Sequence, residues 1–246
     1  LNPTTREMIR TQIERRIFVP FRERIESGQD IYWWVTCTHN WNTVCLNCIL
    51  SCALYLKTDL NERAWYLALV DDLIEYSNQG FEESGFYTEG MSYWVYGFGN
   101  YVAISELVRA ATGGQINWLK KPLQKRMALY GVRMEVQRGL YPTFADSQLD
   151  YQPSTWLHNW LNNCQDDDPA RVRSTEVEID PYDQLDKQSL PNLLINMFHS
   201  MDGQKAYRLD YGNPIREWFD DVQFLICRPE KDAAGKLAAT FKGGHN

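Results

Sequence analysis

The chain has 246 residues and a formal charge of −7, with 32 acidic against 25 basic side chains. That balance argues against a nucleic-acid binder, which normally carries a basic patch, and no run approaches the roughly 20 apolar residues of a membrane span. The length is enough to bury a substantial core in one large domain, or in one domain plus part of another.

The first 140 residues read as helix after helix. "TTRE" at 4–7 has the spacing of a capping box, with Thr4 at the N-cap and Glu7 three residues on, and Ile9, Ile13 and Ile17 continue an apolar stripe. The chain opens at Leu1 with no basic-then-apolar leader, so any secretion signal is expected to be already absent. A second helix is expected over about 41–55, a third from near Asn61 to just before Gly80, a fourth over 89–111 and a fifth over 116–138. Successive amphipathic helices with short links point to stacked antiparallel hairpins, with no clean repeat that would make a solenoid.

Near residue 140 the texture changes. "YPTFADSQLDYQPSTW" is turn-rich, "WLHNWLNN" reads as a short helix, and residues 164–191 are charged, Pro-punctuated and expected to be a long surface connection. "DDVQFLICRP" and "KLAATFKGG" read as two strands flanking the turn "EKDAAG". A two-stranded hairpin is not a domain, so 215–246 is expected to begin a β-domain that continues beyond Asn246.

Two stretches carry chemistry. In "GFYTEGMSYWVYGFGNY", residues 85–101, a continuous helix would put Glu89, Tyr93, Tyr96 and Asn100 on one face. A carboxylate, two phenols and an amide are costly in a core, where each polar tip needs a partner, and natural in a wet cleft. Gly97 and Gly99 each cost a helix roughly 1 kcal/mol relative to Ala, which close approach of another helix or of a substrate would offset. The competing reading is a tyrosine-rich core helix with satisfied hydroxyls. In "THNWNTVC", residues 38–45, Asn40 or Asn42 suits an N-cap, but His39, Asn40, Trp41 and Asn42 together exceed what a cap requires. An imidazole, an amide and an indole at a helix mouth suit a sugar carboxylate and a sugar face. The nine Trp and fourteen Tyr supply flat amphipathic rings for the same purpose. Of the six cysteines, Cys45, Cys48 and Cys52 share one helical face and are expected to be small buried packing residues. No second ligand pair accompanies Cys45 and Cys48, so no metal site is expected from them.

"HNWNTVC", "FYTEGMSYWVYGFGNY", "YPTFAD" and "FLICRP…FKGGHN" occur in the order seen in the heparinase II/III-like polysaccharide lyases, which the chain resembles over about 1–160 and again over 216–246. The resemblance implies a mainly α fold. An (α/α) toroid of antiparallel helix pairs over 1–214, incomplete at its N-terminus, would be followed over 215–246 by the first strands of an antiparallel β-sandwich. It implies β-elimination on a uronic-acid polysaccharide of glycosaminoglycan or alginate type, in a bacterial periplasmic or secreted setting. Asn40 matches the asparagine that neutralises the uronate carboxylate, and either Tyr93 or Tyr96 matches the phenol that moves the proton. An ordinary tyrosine, with a pKa of about 10, needs its site to make it a base at neutral pH. His39 stands beside Asn40 where some relatives carry a histidine on the other side, at the position of Trp41. Trp41, Asn42, Glu89, Trp94, Asn100 and His245 are the expected substrate contacts. No cofactor is expected in this chain, and the family's usual H-x-H-x-D stretch, which would follow Asn246, could hold a structural metal and complete the cleft. The expected partner is an anionic polysaccharide or oligosaccharide. Two other function classes compete: a toroid glycoside hydrolase using Glu89 and Asp146, which needs its carboxyls roughly 5–10 Å apart, and a non-catalytic carbohydrate-binding toroid.

Overall fold

The computed structural model describes residues 2–137, 139–149, 157, 213–230 and 237–243, together with the backbone of two strands at 173–176 and 207–210. The chain is mainly α-helical with small antiparallel sheets, and it divides into two compact units. The first comprises Leu1–Gly80 with Tyr96–Lys120, the second Phe81–Val95 with Lys121–Asn246. No helix among the described residues is long and apolar enough to cross a membrane.

In the first unit, α1 (Pro3–Ile13) begins two residues earlier than the capping box implies: Asn2, not Thr4, is the N-cap, and its side chain accepts from the Thr5 amide at 2.8 Å. Pro3 explains the shift, because its fixed φ and missing N–H suit the first helical position. A π-helical turn at Glu14–Phe18 carries the chain into α2 (Val19–Ser27), which ends at Gly28 in the left-handed region. The long helices lie close to expectation. α3 (Asn40–Leu56) follows His39 at the N-cap. In α4 (Leu60–Asn78) the Asp59 side chain accepts from the Glu62 amide at 2.9 Å. α3 packs against α4 and against α6 (Gly99–Ala111), burying Leu46, Leu50, Val70, Ile74, Val102 and Val108 in one apolar core. Trp118 closes it and donates its indole N–H to Asp71 at 2.6 Å.

The expected fourth helix is broken into three. A single turn, α5 (Met91–Tyr93), is followed by a π-helical turn at Trp94–Phe98 and then by α6. Glu89 lies before the helix, in a turn, because Gly90 has φ +86° and ψ −178°, a conformation only glycine takes up readily. The expected fifth helix is also shorter: a 3₁₀ turn at Trp118–Lys120 precedes α7 (Pro122–Arg133), which starts where Pro122 fits the first turn.

The second unit centres on Phe86, whose ring meets those of Tyr130, Phe144, Phe219 and Phe224 at centroid distances of 5.1–5.5 Å. Its backbone approaches Ser147 and Phe144 so closely at Gly90 that a Cβ there would sit 2.5 Å from Ser147 Oγ. The strands correct two expectations. Arg173–Glu176 (β1) and Tyr207–Asp210 (β2) pair antiparallel inside the stretch read as helix and surface connection. The C-terminal sheet has three strands, not two: Arg216–Phe219 (β3), Phe224–Cys227 (β4) and Ala239–Lys242 (β5), in the order β3-β4-β5, all antiparallel. A 3₁₀ turn at Asp220–Val222 interrupts what was read as one strand. Arg228, 8 % exposed, fixes this sheet to the end of α7 by donating to the carbonyls of Glu135 at 2.7 Å, Pro214 at 2.8 Å and Arg133. The expected helix around "WLHNWLNN" and the turn "EKDAAG" fall outside the described residues, apart from Leu157 and Glu230.

Candidate functional site

The expected site residues divide between the two units. His39, Asn40, Trp41, Asn42, Tyr96 and Asn100 belong to the first, and Glu89, Tyr93, Trp94 and Asp146 to the second. His245 lies outside the described residues.

In the first unit the mouth of α3 is built from the loop before it. Residues 33–35 form a 3₁₀ turn in which Val35 is buried and Trp34 stacks on Phe21 (centroids 5.7 Å, 7° between planes) and on Tyr32 (5.6 Å, 16°). Asn42, fully enclosed, donates its amide N–H groups to the carbonyls of Val35 at 2.8 Å and Trp34 at 3.3 Å. Asn42 was expected to contact substrate. It is instead the strut that holds this turn, because its side-chain N–H groups face inward. Consecutive side chains then leave the turn in different directions: Trp34 inward and Trp33 outward, at 60 % exposure. Trp33 sits 5.8 Å from Trp41 with planes at 67°, and 5.8 Å from His39 at 32°. Trp41 is itself 46 % exposed.

Behind these rings, Asn40 occupies the first position of α3 and is 4 % exposed. The buried Thr43 hydroxyl lies 2.9 Å from the Asn40 carbonyl and 3.0 Å from the Gly97 carbonyl, with one proton to share between them. That hydroxyl seats the first turn of α3 against the π turn, and the neighbour of Gly97 on that turn is Tyr96, 48 % exposed. A line of amides continues the contact: Ser51 Oγ donates to Asn47, Asn47 to Asn100 at 2.8 Å, and Asn100 to the Tyr96 carbonyl at 2.8 Å. Asn100, expected to bind substrate, thus uses both ends of its amide to hold α3, α6 and the backbone of Tyr96 in register. The π turn gives Gly97 a role that spacing could not: its buried carbonyl is the acceptor that joins the two segments. Such turns are frequent at functional sites, where the extra residue re-aims a side chain.

In the second unit, Tyr87 is buried and its hydroxyl donates to the Glu89 carboxylate, while Tyr130 donates to the Tyr87 carbonyl at 3.1 Å. Complete burial pushes the Tyr130 phenol well above its ordinary pKa, so it stays protonated and acts as a donor. Trp94, expected as a substrate contact, is instead enclosed and donates its indole N–H to the Met127 carbonyl at 2.9 Å. Tyr93 is half-buried. The single-turn helix α5, which follows the Glu89 turn, is joined to the exposed Asp146 turn by Ser92, whose hydroxyl donates to the Asp146 carbonyl at 3.2 Å.

No protein-family model and no curated protein matches the chain.

Among the described residues no cluster of histidine, cysteine, aspartate or glutamate could hold a metal ion. The cysteines of α3 do not form the buried packing face expected of them: Cys48 is exposed, and Cys45 and Cys52 are half-buried. Partial burial, reinforced by the neighbouring Cys48 and Cys37, raises the Cys45 thiol to about 11, and partial burial raises Cys52 as well. At neutral pH these thiols are protonated and poor nucleophiles. Two residues of the α3 mouth were not singled out from sequence. Thr43 carries no sequence signal beyond its place in the first turn. Trp33 does: in "YWWV" two adjacent indoles in a turn cannot both face inward.

Proposed function

We propose that the protein is a polysaccharide lyase, cleaving a uronic-acid-containing polysaccharide by β-elimination on an (α/α) toroid in a bacterial periplasmic or secreted setting. The observation that carries this reading is the bridge made by Thr43, which joins the first turn of α3, with Asn40, to the π turn that presents Tyr96. Elimination needs those two groups in one rigid frame. A uronate carboxylate resists becoming a dianionic enolate, so in this reading Asn40, 4 % exposed at the start of α3, must turn its amide outward to donate to it and spread the charge that builds up as the C5 proton leaves. The Tyr96 oxygen, as general base, takes that proton. The electrons of the C5–H bond form the C4–C5 double bond, and the C4–O bond breaks toward the leaving sugar. That oxygen is protonated by the phenol just formed or by His39. Tyr96 is preferred to Tyr93 because its exposure leaves the hydroxyl open and because its backbone is tied to α3 through Gly97 and Asn100.

The test is the product. Incubated with alginate, hyaluronan, chondroitin or heparan chains, the protein is expected to release oligosaccharides ending in an unsaturated uronate, which absorbs in the ultraviolet. A second reading, hydrolysis by Glu89 and Asp146, is favoured by the Ser92 bridge from α5, which follows Glu89, to the Asp146 turn. It would release saturated reducing ends with no such absorbance, and that outcome overturns the lyase.

A further inference from the structure

We propose that Trp33, with Trp41 and His39, forms an aromatic corner that binds one pyranose ring of the polysaccharide through its apolar C–H face, and that Trp33 is the residue setting affinity there. The inference rests on the lyase reading for its substrate class and on the geometry for its location. Three rings of one unit, two of them largely exposed indoles, meet at centroid distances of 5.8 Å. The Trp33–Trp41 angle of 67° makes two walls and not one flat face, so a ring stacked on one indole is bounded at its edge by the other. Leaving a tryptophan 60 % exposed forgoes burial that the chain obtains for Trp94 and Trp118.

The turn is also braced. Asn42 pins the carbonyls of Trp34 and Val35, Trp34 stacks on Phe21 and on Tyr32, and the Cys37 thiol donates to the Trp34 carbonyl at 3.4 Å. A braced turn fixes the backbone that carries Trp33, so less freedom is lost on binding, which is what a pre-formed stacking site needs. The occupant follows from the surroundings. His39, the N-cap of α3, lies 5.8 Å from Trp33 ring to ring, so the ligand must present an apolar face together with a polar rim. A pyranose does so, and a purely apolar ligand does not.

The experiment is a titration of intrinsic tryptophan fluorescence with alginate and hyaluronan hexasaccharides, and with cellohexaose and choline as controls, alongside turnover of the parent polymers. The wild-type protein is expected to respond to at least one uronate hexasaccharide. Trp33→Ala should weaken that binding at least tenfold, equivalent to about 1.4 kcal/mol, and raise KM with kcat little changed. Trp33→Phe should recover part of the loss, and the melting temperature of both variants should match wild type because the side chain is exposed. Unchanged affinity in Trp33→Ala overturns the proposal even if the unsaturated product forms, as does a response to choline alone or to none of the sugars. If instead Trp33→Ala loses affinity while no polymer yields an unsaturated product, the corner stands and the lyase reading falls.

Discussion

Replacing Thr43 by valine removes one hydroxyl from a buried site and leaves the side-chain shape almost unchanged. The hydroxyl lies within hydrogen-bonding distance of two carbonyls, those of Asn40 and Gly97, but has one proton, so the loss is that of one shared hydrogen bond and not two. A neutral hydrogen bond contributes about 0.5–1.5 kcal/mol net, and a buried acceptor left without its donor adds to the cost. The Gly97 carbonyl lies in a π turn, where backbone partners are less regular, so the expected destabilisation is about 1–2 kcal/mol. Urea unfolding should show a lower midpoint with an unchanged slope, since the buried surface hardly differs. Thr43→Ser supplies the control: it keeps the hydroxyl and loses a buried methyl, worth about 0.8 kcal/mol. The two variants should therefore be similar in stability and different in rate. Valine releases the π turn from α3 and should lower kcat about tenfold or more, because small misplacements of reacting groups are costly, whereas serine should keep most of the activity. The reasoning fails if valine is as stable as wild type, or if serine loses rate as much as valine does.

In the second unit, Arg228→Met should cost about 2–4 kcal/mol in urea unfolding, since three carbonyls lose a buried donor at once. Arg228→Lys should recover only part, because an ammonium cannot span the planar fork. For the thiols of α3, alkylation at pH 8 should label Cys48 before Cys45, as read by mass spectrometry, because Cys48 is exposed and Cys45 has its pKa raised to about 11. The folded state favours the protonated Cys45 thiol. Its contribution to stability is therefore complete below the ordinary thiol pKa and is lost as pH rises through about 11, which a Cys45→Ala variant should lack.

How much of this was legible in the sequence differs by element. α3 and α4 were, because polar residues at their starts and a sustained apolar stripe agree with one another. α1 was misplaced by two residues because Pro3 outweighs the Thr4–Glu7 spacing. The π turn at Trp94–Phe98 left no trace in residue types, since it is a matter of which carbonyl each amide reaches. It broke the face on which Glu89, Tyr93, Tyr96 and Asn100 were aligned, and the positive φ of Gly90 put Glu89 outside the helix altogether. β3 was missed because "REWF" is two charged residues followed by two aromatic ones, without the alternation that marks a strand, and β1–β2 because "RSTE" and "YRLD" are four residues each, half of them charged. At the mouth of α3, division of labour among the polar and aromatic residues depends on direction, which residue types do not carry. Asn42 and Asn100 turn inward as struts, Trp94 is core, and Trp33, not singled out from sequence, faces outward.

The most direct test of the central claim is the rate of unsaturated-product release by Tyr96→Phe set against Tyr93→Phe in the full-length protein. The phenol acts on a proton that moves only in the transition state, while its ring survives the change, so Tyr96→Phe should abolish turnover with hexasaccharide affinity nearly intact and Tyr93→Phe should remain active. Near-normal rates in Tyr96→Phe would contradict the account, and loss of activity in Tyr93→Phe alone would assign the proton to the other phenol.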